Sequence, residues 1–246
     1  MTAQAMALVD LTGLRLLIMG GAAGIGASCT ELAMAAGAVV AVSHLPGEET
    51  PAPHAFTCDV TDPAQVTATV DAAAEALGAL DGVILTAGIF DFRGVEETSD
   101  ADWQRIVALN LNGPFHVGRA VAPHFRKAEG GSLVFFSSQV GIVGHPRATG
   151  YAATKAGVNG LTRTLAIEFA PFHARCNAVA PGPIETPMTA IARADPERSR
   201  KLVEAVPLKR FGQPGEIARA ALFLAAPASA YITGHTLVAD GGVTAI

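Results

Sequence analysis

The stretch Leu14-Arg15-Leu16-Leu17-Ile18-Met19-Gly20-Gly21-Ala22-Ala23-Gly24-Ile25-Gly26 decides how the whole chain is read. An apolar run from Leu14 to Met19 stops at a glycine pair, and an alanine-rich stretch from Ile25 to Ala36 follows with helical character. Gly37 closes that helix, because glycine accepts the left-handed backbone at which helices end, and Ala38 to Ser43 is a second apolar run. Strand, glycine turn, helix and strand in this order make a βαβ unit. Its strands are apolar without alternation, so both of their faces are buried, as in a parallel sheet covered by helices.

The alternation continues to the end of the chain. Ala55 to Cys58, Gly82 to Leu85, Ser132 to Phe136, Arg175 to Val179 and Thr236 to Val238 read as strands. Pro63 to Ala76, Asp102 to Phe125, Tyr151 to Ala170 and Gly215 to Ala225 read as helices. The expected architecture is a doubly wound α/β fold with helices on both faces of a parallel sheet, right-handed crossovers and a ligand at the carboxyl ends of the strands. No repeat or linker divides residues 1–246, which are read as one domain. The least regular stretch begins at Pro181, and residues 183–210 are read as a lid over the site.

Composition narrows the function classes. The 246 residues are 50% hydrophobic and 16% charged, with mean hydropathy +0.37. Every apolar stretch is broken well short of the roughly 20 residues that a membrane helix needs, so the apolarity belongs to a core. With 22 acidic against 17 basic residues and a net charge of -5, and with no Lys/Arg run, a nucleic-acid partner is not expected. Cys29, Cys58 and Cys176 show no C-x-x-C spacing, which predicts buried thiols in a reducing cytoplasm and neither a disulfide framework nor a metal site. Met1 to Asp10 has no basic segment leading into a long apolar one, so no secretory signal is expected.

The turn after the first strand points to a ligand. A helix N-terminus offers unpaired N–H groups and the positive end of its dipole, and glycine lets a pyrophosphate come close to that backbone. A dinucleotide fits this turn, although Cys29 stands where the third glycine of G-x-G-x-x-G belongs. The spacing Gly20-x-x-x-Gly24-x-Gly26, with Asp59-Val60, Asn110, Ser138, Tyr151-x-x-x-Lys155, Pro181-Gly182 and Asp240-Gly241-Gly242, resembles the short-chain dehydrogenase/reductases over nearly the whole chain. Two departures stand out. Met19 replaces the usual Thr, and Leu85-Thr86-Ala87-Gly88 replaces Asn-Asn-Ala-Gly, which puts local hydrogen bonding in question more than catalysis.

The resemblance implies a Rossmann-like fold, an NAD or NADP cofactor, and a homotetramer built on the long helices flanking the Ser138 strand. It places Gly20, Gly24, Ile25, Gly26, Ala87 and Gly88 around the cofactor, Asp59 and Val60 against the adenine, and Pro181, Ile184 and Thr186 over the nicotinamide. At the end of the second strand stands His44, neither the acidic residue that accepts from the NAD ribose nor the Arg that accommodates a 2'-phosphate. No Lys or Arg occurs in the glycine turn or between Ser43 and Phe56, and Glu48 and Glu49 lie nearby, which favours NAD. A protonated His44 leaves NADP open.

Tyr151 and Lys155 lie one helical turn apart on the same face. A phenol titrates near pH 10, and a neighbouring cation, from Lys155 or an oxidised nicotinamide, lowers that value and makes it a base for an alcohol proton. Ser138, at the end of a strand, is placed to hydrogen-bond the substrate oxygen, with Ser137 as the adjacent alternative that the family spacing rejects. By resemblance, Asn110 holds a water that relays protons from Lys155.

Specificity is assigned to Phe90–Val95, Gln139–Gly150 and Thr186–Arg210, with Gln139, His145, Arg147 and Arg193 as candidate substrate contacts and an Arg suited to a carboxylate. The expected activity is oxidation of a secondary alcohol of polyol, sugar-acid or hydroxy-acid type. The alternatives are an NADPH-dependent reductase of a 3-oxoacyl thioester or another ketone, and a non-catalytic dinucleotide sensor. Related enoyl reductases space Tyr and Lys more widely, so the spacing here favours carbonyl chemistry.

Overall fold

The computed structural model describes residues 10–245, and the reading of the N-terminal segment Met1–Val9 lies outside the described residues. Seven strands form one sheet: β1 Arg15–Met19, β2 Val39–His44, β3 His54–Thr57, β4 Gly82–Leu85, β5 Gly131–Phe136, β6 Ala174–Pro181 and β7 Thr236–Ala239. Their order is β3-β2-β1-β4-β5-β6-β7, and each pairing is parallel. Chain direction across the sheet reverses between β1 and β4. A ligand crevice opens at such a switch point, outside the carboxyl ends of the strands.

Among the described residues the α-helices are α1 Gly24–Ala35, α2 Pro63–Leu77, α3 Asp100–Val107, α4 Gly113–Ala128, α5 Thr149–Phe169, α6 Ala190–Ala194, α7 Pro196–Ala205 and α8 Pro214–Ala225, of which α1, α2, α4, α5 and α8 pack on the sheet. Alternate residues of β1 supply the two cores. Leu17 and Met19 pack with Val70 of α2, Val121 of α4 and Val158 of α5, whereas Leu16 and Ile18 pack with Ala33 of α1 and Ala221 of α8. Helix entry follows local chemistry. The Asp62 carboxylate accepts from the Ala64 and Gln65 N–H groups ahead of α2, and Ser99 accepts from the Asp102 N–H ahead of α3.

Two sequence expectations change here. Asp102 to Phe125 is not one helix: α3 and α4 are joined by a π-turn over Ala108–Asn112, where the Gly113 N–H donates to the Ala108 carbonyl. Pro114 is the cause, since in an unbroken α-helix it offers no N–H to the Asn110 carbonyl and its ring collides with it; a wider turn relieves both. Within residues 183–210, expected to be irregular, stand the helices α6 and α7. The Asp195 carboxylate accepts from the Glu197 and Arg198 N–H groups, and Pro196 occupies the first turn of α7. That Asp-Pro signal is present in the sequence.

All three cysteines are free and buried. Burial pushes the Cys29 thiol up to about 12, so it is inert at neutral pH. Among the described residues, no helix is long and apolar enough to cross a membrane.

Candidate active site

The turn that leaves β1 is held by backbone. Gly20 and Gly21 N–H groups both donate to the Ser43 carbonyl, at 2.9 and 3.1 Å, fixing the turn to β2. The Thr86 hydroxyl lies 3.0 Å from the Met19 carbonyl and 2.9 Å from that of Gly20, which ties the end of β4 to the same turn. Thr86 thus supplies a bond between these segments at the departure noted in the sequence. A Cβ at Gly26 would overlap the Gly20 carbonyl oxygen and stand 2.6 Å from the Thr86 hydroxyl, so α1 starts closer to β1 than any side chain permits.

This cradle fits a dinucleotide. Ala23 at the N-cap of α1 makes no side-chain hydrogen bond, and the first turn carries no acidic residue, which leaves the N-terminal N–H groups for an anion. Thr186 and Pro187 stand 3.6 Å from a Cβ built at Gly24, so the segment after β6 faces the glycine turn across a narrow gap. Ile184 is buried and pairs with Gly212, and its carbonyl accepts from Thr189 Oγ1 at 2.6 Å. Ile25 belongs to α1, and Pro181 ends β6.

His44 ends β2 with its Nδ1 2.9 Å from the Leu45 carbonyl oxygen, and the Leu45 N–H donates to Glu48 Oε2 at 3.0 Å. Beyond β3, Asp59 Oδ1 accepts from the Thr61 N–H and hydroxyl at 2.9 and 2.8 Å, and Val60 is buried. At the end of β4, a Cβ at Gly88 would stand 3.3 Å from Asn110 Oδ1 and 3.5 Å from Lys155 Nζ. Gly88, Asn110 and Lys155 therefore share one small volume, with Ala87 backing onto Gly20.

The structure brings Ser138, Tyr151 and Lys155 together. Lys155 Nζ is 5.6 Å from the centre of the Tyr151 ring and donates to the Phe136 carbonyl at 2.8 Å. Ser138 caps the short helical turn Gln139–Gly141, accepting from the Val140 N–H at 3.2 Å, and its hydroxyl acts on the Tyr151 phenol by favouring the charged form. Ser137 turns the other way and donates to the Lys155 carbonyl at 3.1 Å, which leaves Ser138 as the serine of the site.

Electrostatics differ from the sequence expectation in one respect. Burial raises the Tyr151 phenol above its ordinary value, with the Ser138 hydrogen bond partly opposing, so Lys155 alone does not make a phenolate. Burial also lowers the Lys155 ammonium to about 8. An unfolded lysine titrates near 10.4, so between about pH 8 and 10.4 the unfolded chain binds the extra proton and stability rises with pH. We expect the thermal midpoint of the cofactor-free protein, compared with that of Lys155→Met, to gain across this window; a constant difference would remove Lys155 as the cause.

The Asn110 side chain is held by Ile89, with Oδ1 accepting from the Ile89 N–H at 2.9 Å and Nδ2 donating to the Ile89 carbonyl at 2.8 Å. Both edges of the amide fix the backbone that follows β4.

The candidate substrate residues divide. Gln139 is next to Ser138 and its Oε1 is a buried oxygen without a hydrogen-bond partner. His145 lies 6.0 Å from Phe92, centre to centre, with Nδ1 at 2.7 Å from the Pro146 carbonyl oxygen. Arg147 is closed on Glu97 by two 2.6 Å bonds, and Arg193 reaches back to the Thr186 carbonyl at 3.2 Å. Phe90, named in the sequence only as one end of a pocket segment, sits edge-on to Tyr151 at 4.8 Å between ring centres. No sequence pattern singles it out, because the contact joins the loop after β4 to α5.

Comparison with known proteins gives the same picture. A family model described as enoyl-(acyl carrier protein) reductase matches residues 20–244. The chain is 39% identical over 249 residues to 3-oxoacyl-[acyl-carrier-protein] reductase FabG of Thermotoga maritima, covering 95% of this chain and 98% of that one. It is 36% identical over 240 residues to cyclopentanol dehydrogenase of a Comamonas species, covering 93% and 96%. The solved structure of ligand-free Thermoplasma acidophilum aldohexose dehydrogenase superposes with a TM-score of 0.88 at 32% identity, covering 96% of both chains. In fold, in the arrangement of its glycine turn and Tyr-Lys helix, and in sequence, the chain belongs to the short-chain dehydrogenase/reductase family.

Proposed function

We propose that this protein interconverts a secondary alcohol and a ketone with NAD as the favoured dinucleotide, Tyr151 acting as the acid/base. The observation that carries the proposal is the Tyr151 ring 5.6 Å from Lys155 Nζ, one turn away on α5, with Ser138 just beyond the end of β5. The bound dinucleotide supplies the hydride acceptor, or the donor in reverse, and when oxidised a positive charge. Ser138 hydrogen-bonds the substrate oxygen and stabilises charge that develops on it. Burial favours the protonated Tyr151 phenol in the cofactor-free protein, ready to pass its proton to a forming alkoxide; in oxidation the phenol first gives that proton up to solvent, and the phenolate then takes the alcohol proton as the carbonyl forms. Asn110 positions this group of residues through Ile89.

Gly20, Gly24, Ile25 and Gly26 would hold the pyrophosphate, His44 the adenosine ribose, Asp59 and Val60 the adenine, and Ala87, Gly88, Lys155, Pro181, Ile184 and Thr186 the nicotinamide half. The end of β2 lacks an arginine or lysine and carries Glu48 close by, which disfavours a 2'-phosphate. A cytoplasmic homotetramer completes the reading, with α4 and α5 as the contact face; Phe115 and Ile167 are exposed on it. Of the substrate types suggested by the sequence, a sugar acid or hydroxy acid needs an arginine that is free to bind it.

A second reading, an NADPH-dependent 3-oxoacyl thioester reductase, is favoured by the name of the Thermotoga relative. Rates of NAD and NADP reduction with a panel of alcohols separate the two. We expect kcat/KM to be at least about tenfold higher with NAD, the difference worth one favourable ribose contact against one repelled phosphate. A preference for NADPH with a 3-oxoacyl thioester as the best substrate overturns the first reading.

A further inference from the structure

An aromatic side chain stands against Tyr151, and the arginines of the neighbouring segments already have contacts. Phe90 stands edge-on to Tyr151 at 4.8 Å, and Phe92 follows it at 6.1 Å, both between ring centres. Exposed apolar side chains also occur in the segments that follow β5 and β6: Ile142 and Val143 after Ser138, and Met188 and Ile191 after Thr186. Phe90, apolar and partly exposed against the reacting phenol, is a surface that a ligand there covers.

The arginines have other duties. Phe92 lies between two guanidinium groups, that of Arg198 from α7 at 4.5 Å and that of Arg147 at 5.3 Å from the ring centre. Arg147 also forks onto both oxygens of Glu97, and Arg93 pairs with Asp91 and Asp102. Arg193 binds the Thr186 carbonyl and the Thr189 hydroxyl. Lys155 donates to the Phe136 carbonyl. At Arg147 or Arg93 a substrate carboxylate would have to displace Glu97 or an aspartate, giving up charge-assisted bonds to gain equivalent ones, and at Arg193 it would have to displace the Thr186 carbonyl and the Thr189 hydroxyl. A neutral apolar body displaces only water from Phe90 and its neighbours.

Resting on the secondary-alcohol reading above, we propose that the substrate is a neutral secondary alcohol with an apolar ring or branched body packed against Phe90. Arg147 and Arg198 are not carboxylate receptors: they clasp Phe92, and Arg198 thereby fastens the lid helix α7 to the loop after β4. Phe90 is the residue that sets specificity, through contact with the substrate body beside the reacting carbon.

The test uses the purified full chain with NAD and NADP. Cyclohexanol, cyclopentanol and 2-pentanol are set against 3-hydroxybutyrate, lactate and gluconate. We expect kcat/KM for the best neutral alcohol to exceed that of every acid by at least about tenfold, the discrimination that an unmatched buried group produces. Phe90→Ala is expected to raise KM for cyclohexanol about tenfold, with the pH profile of kcat unchanged, and Phe90→Leu to recover most of the loss, as expected for apolar contact. An acid as the best substrate, or equal effects of Phe90→Ala on neutral and acidic substrates, overturns the substrate class while leaving the dehydrogenase reading intact. Absence of dinucleotide reduction with every alcohol and acid in the panel overturns the dehydrogenase reading itself, and the inference with it.

Discussion

Tyr151→Phe is expected to lower kcat by about 1000-fold while changing dinucleotide affinity by less than about threefold, the loss characteristic of a single acid/base group. The change deletes one oxygen from a side chain whose ring is otherwise retained. Phe90 keeps its edge-on neighbour, and Lys155 keeps a ring at 5.6 Å, so packing at the start of α5 is preserved. Ser138 still accepts from the Val140 N–H at 3.2 Å, so its rotamer remains held. Loss of turnover in a folded, cofactor-binding variant then reports on proton transfer. Dinucleotide titration and initial rates on one preparation make the measurement, and a kcat within about threefold of the parent would remove Tyr151 as the acid/base.

The same residue shows where sequence reading stops. Tyr151 and Lys155 are legible as a pair because helical periodicity places positions i and i+4 on one face. Whether the phenol is a phenolate is not legible, since that depends on how much protein surrounds it. Burial outweighs the Ser138 hydroxyl at the phenol and acts alone on the lysine, leaving the phenol above and the lysine below their ordinary values.

The fold was legible for a related reason. Double burial of β1 leaves a continuous apolar run, and glycines at 20, 21, 24 and 26 mark where it ends. The sequence of elements then implies a parallel sheet, and the switch point between β1 and β4 falls at the glycine turn. The π-turn at Ala108–Asn112 is recoverable only by asking what Pro114 does to the carbonyl of Asn110. Contacts across distant segments stay hidden. Arg198 over Phe92 and Arg147 on Glu97 pair residues far apart in the chain, each an unremarkable surface arginine until the lid and the loop after β4 are placed together.

Gly26→Ala is expected to cost about 3 kcal/mol of stability or more and to remove dinucleotide binding. The added methyl group would overlap the Gly20 carbonyl oxygen, with the Thr86 hydroxyl at 2.6 Å and the Gly20 carbonyl carbon at 2.9 Å. The first and last of these are backbone, which cannot rotate aside as a flexible side chain does. Relief therefore requires α1 to move away from β1, and overpacking that shifts backbone costs at the upper end of about 1–3 kcal/mol or beyond. For a chain of this size, that loss lowers the thermal midpoint by about 6–12 °C. The functional loss comes from the same displacement, because the N–H groups that face an anion belong to the first turn of α1.

Gly130→Ala is the matched control, since nothing lies within 4 Å of a Cβ built there and its backbone does not need glycine. Its expected effect is within about 0.5 kcal/mol, as for a surface substitution. Thermal melting and dinucleotide titration of both variants decide the matter. Parent-like values for Gly26→Ala in both assays would show that α1 does not start against the Gly20 carbonyl, and the cradle assigned to the cofactor would have to lie elsewhere.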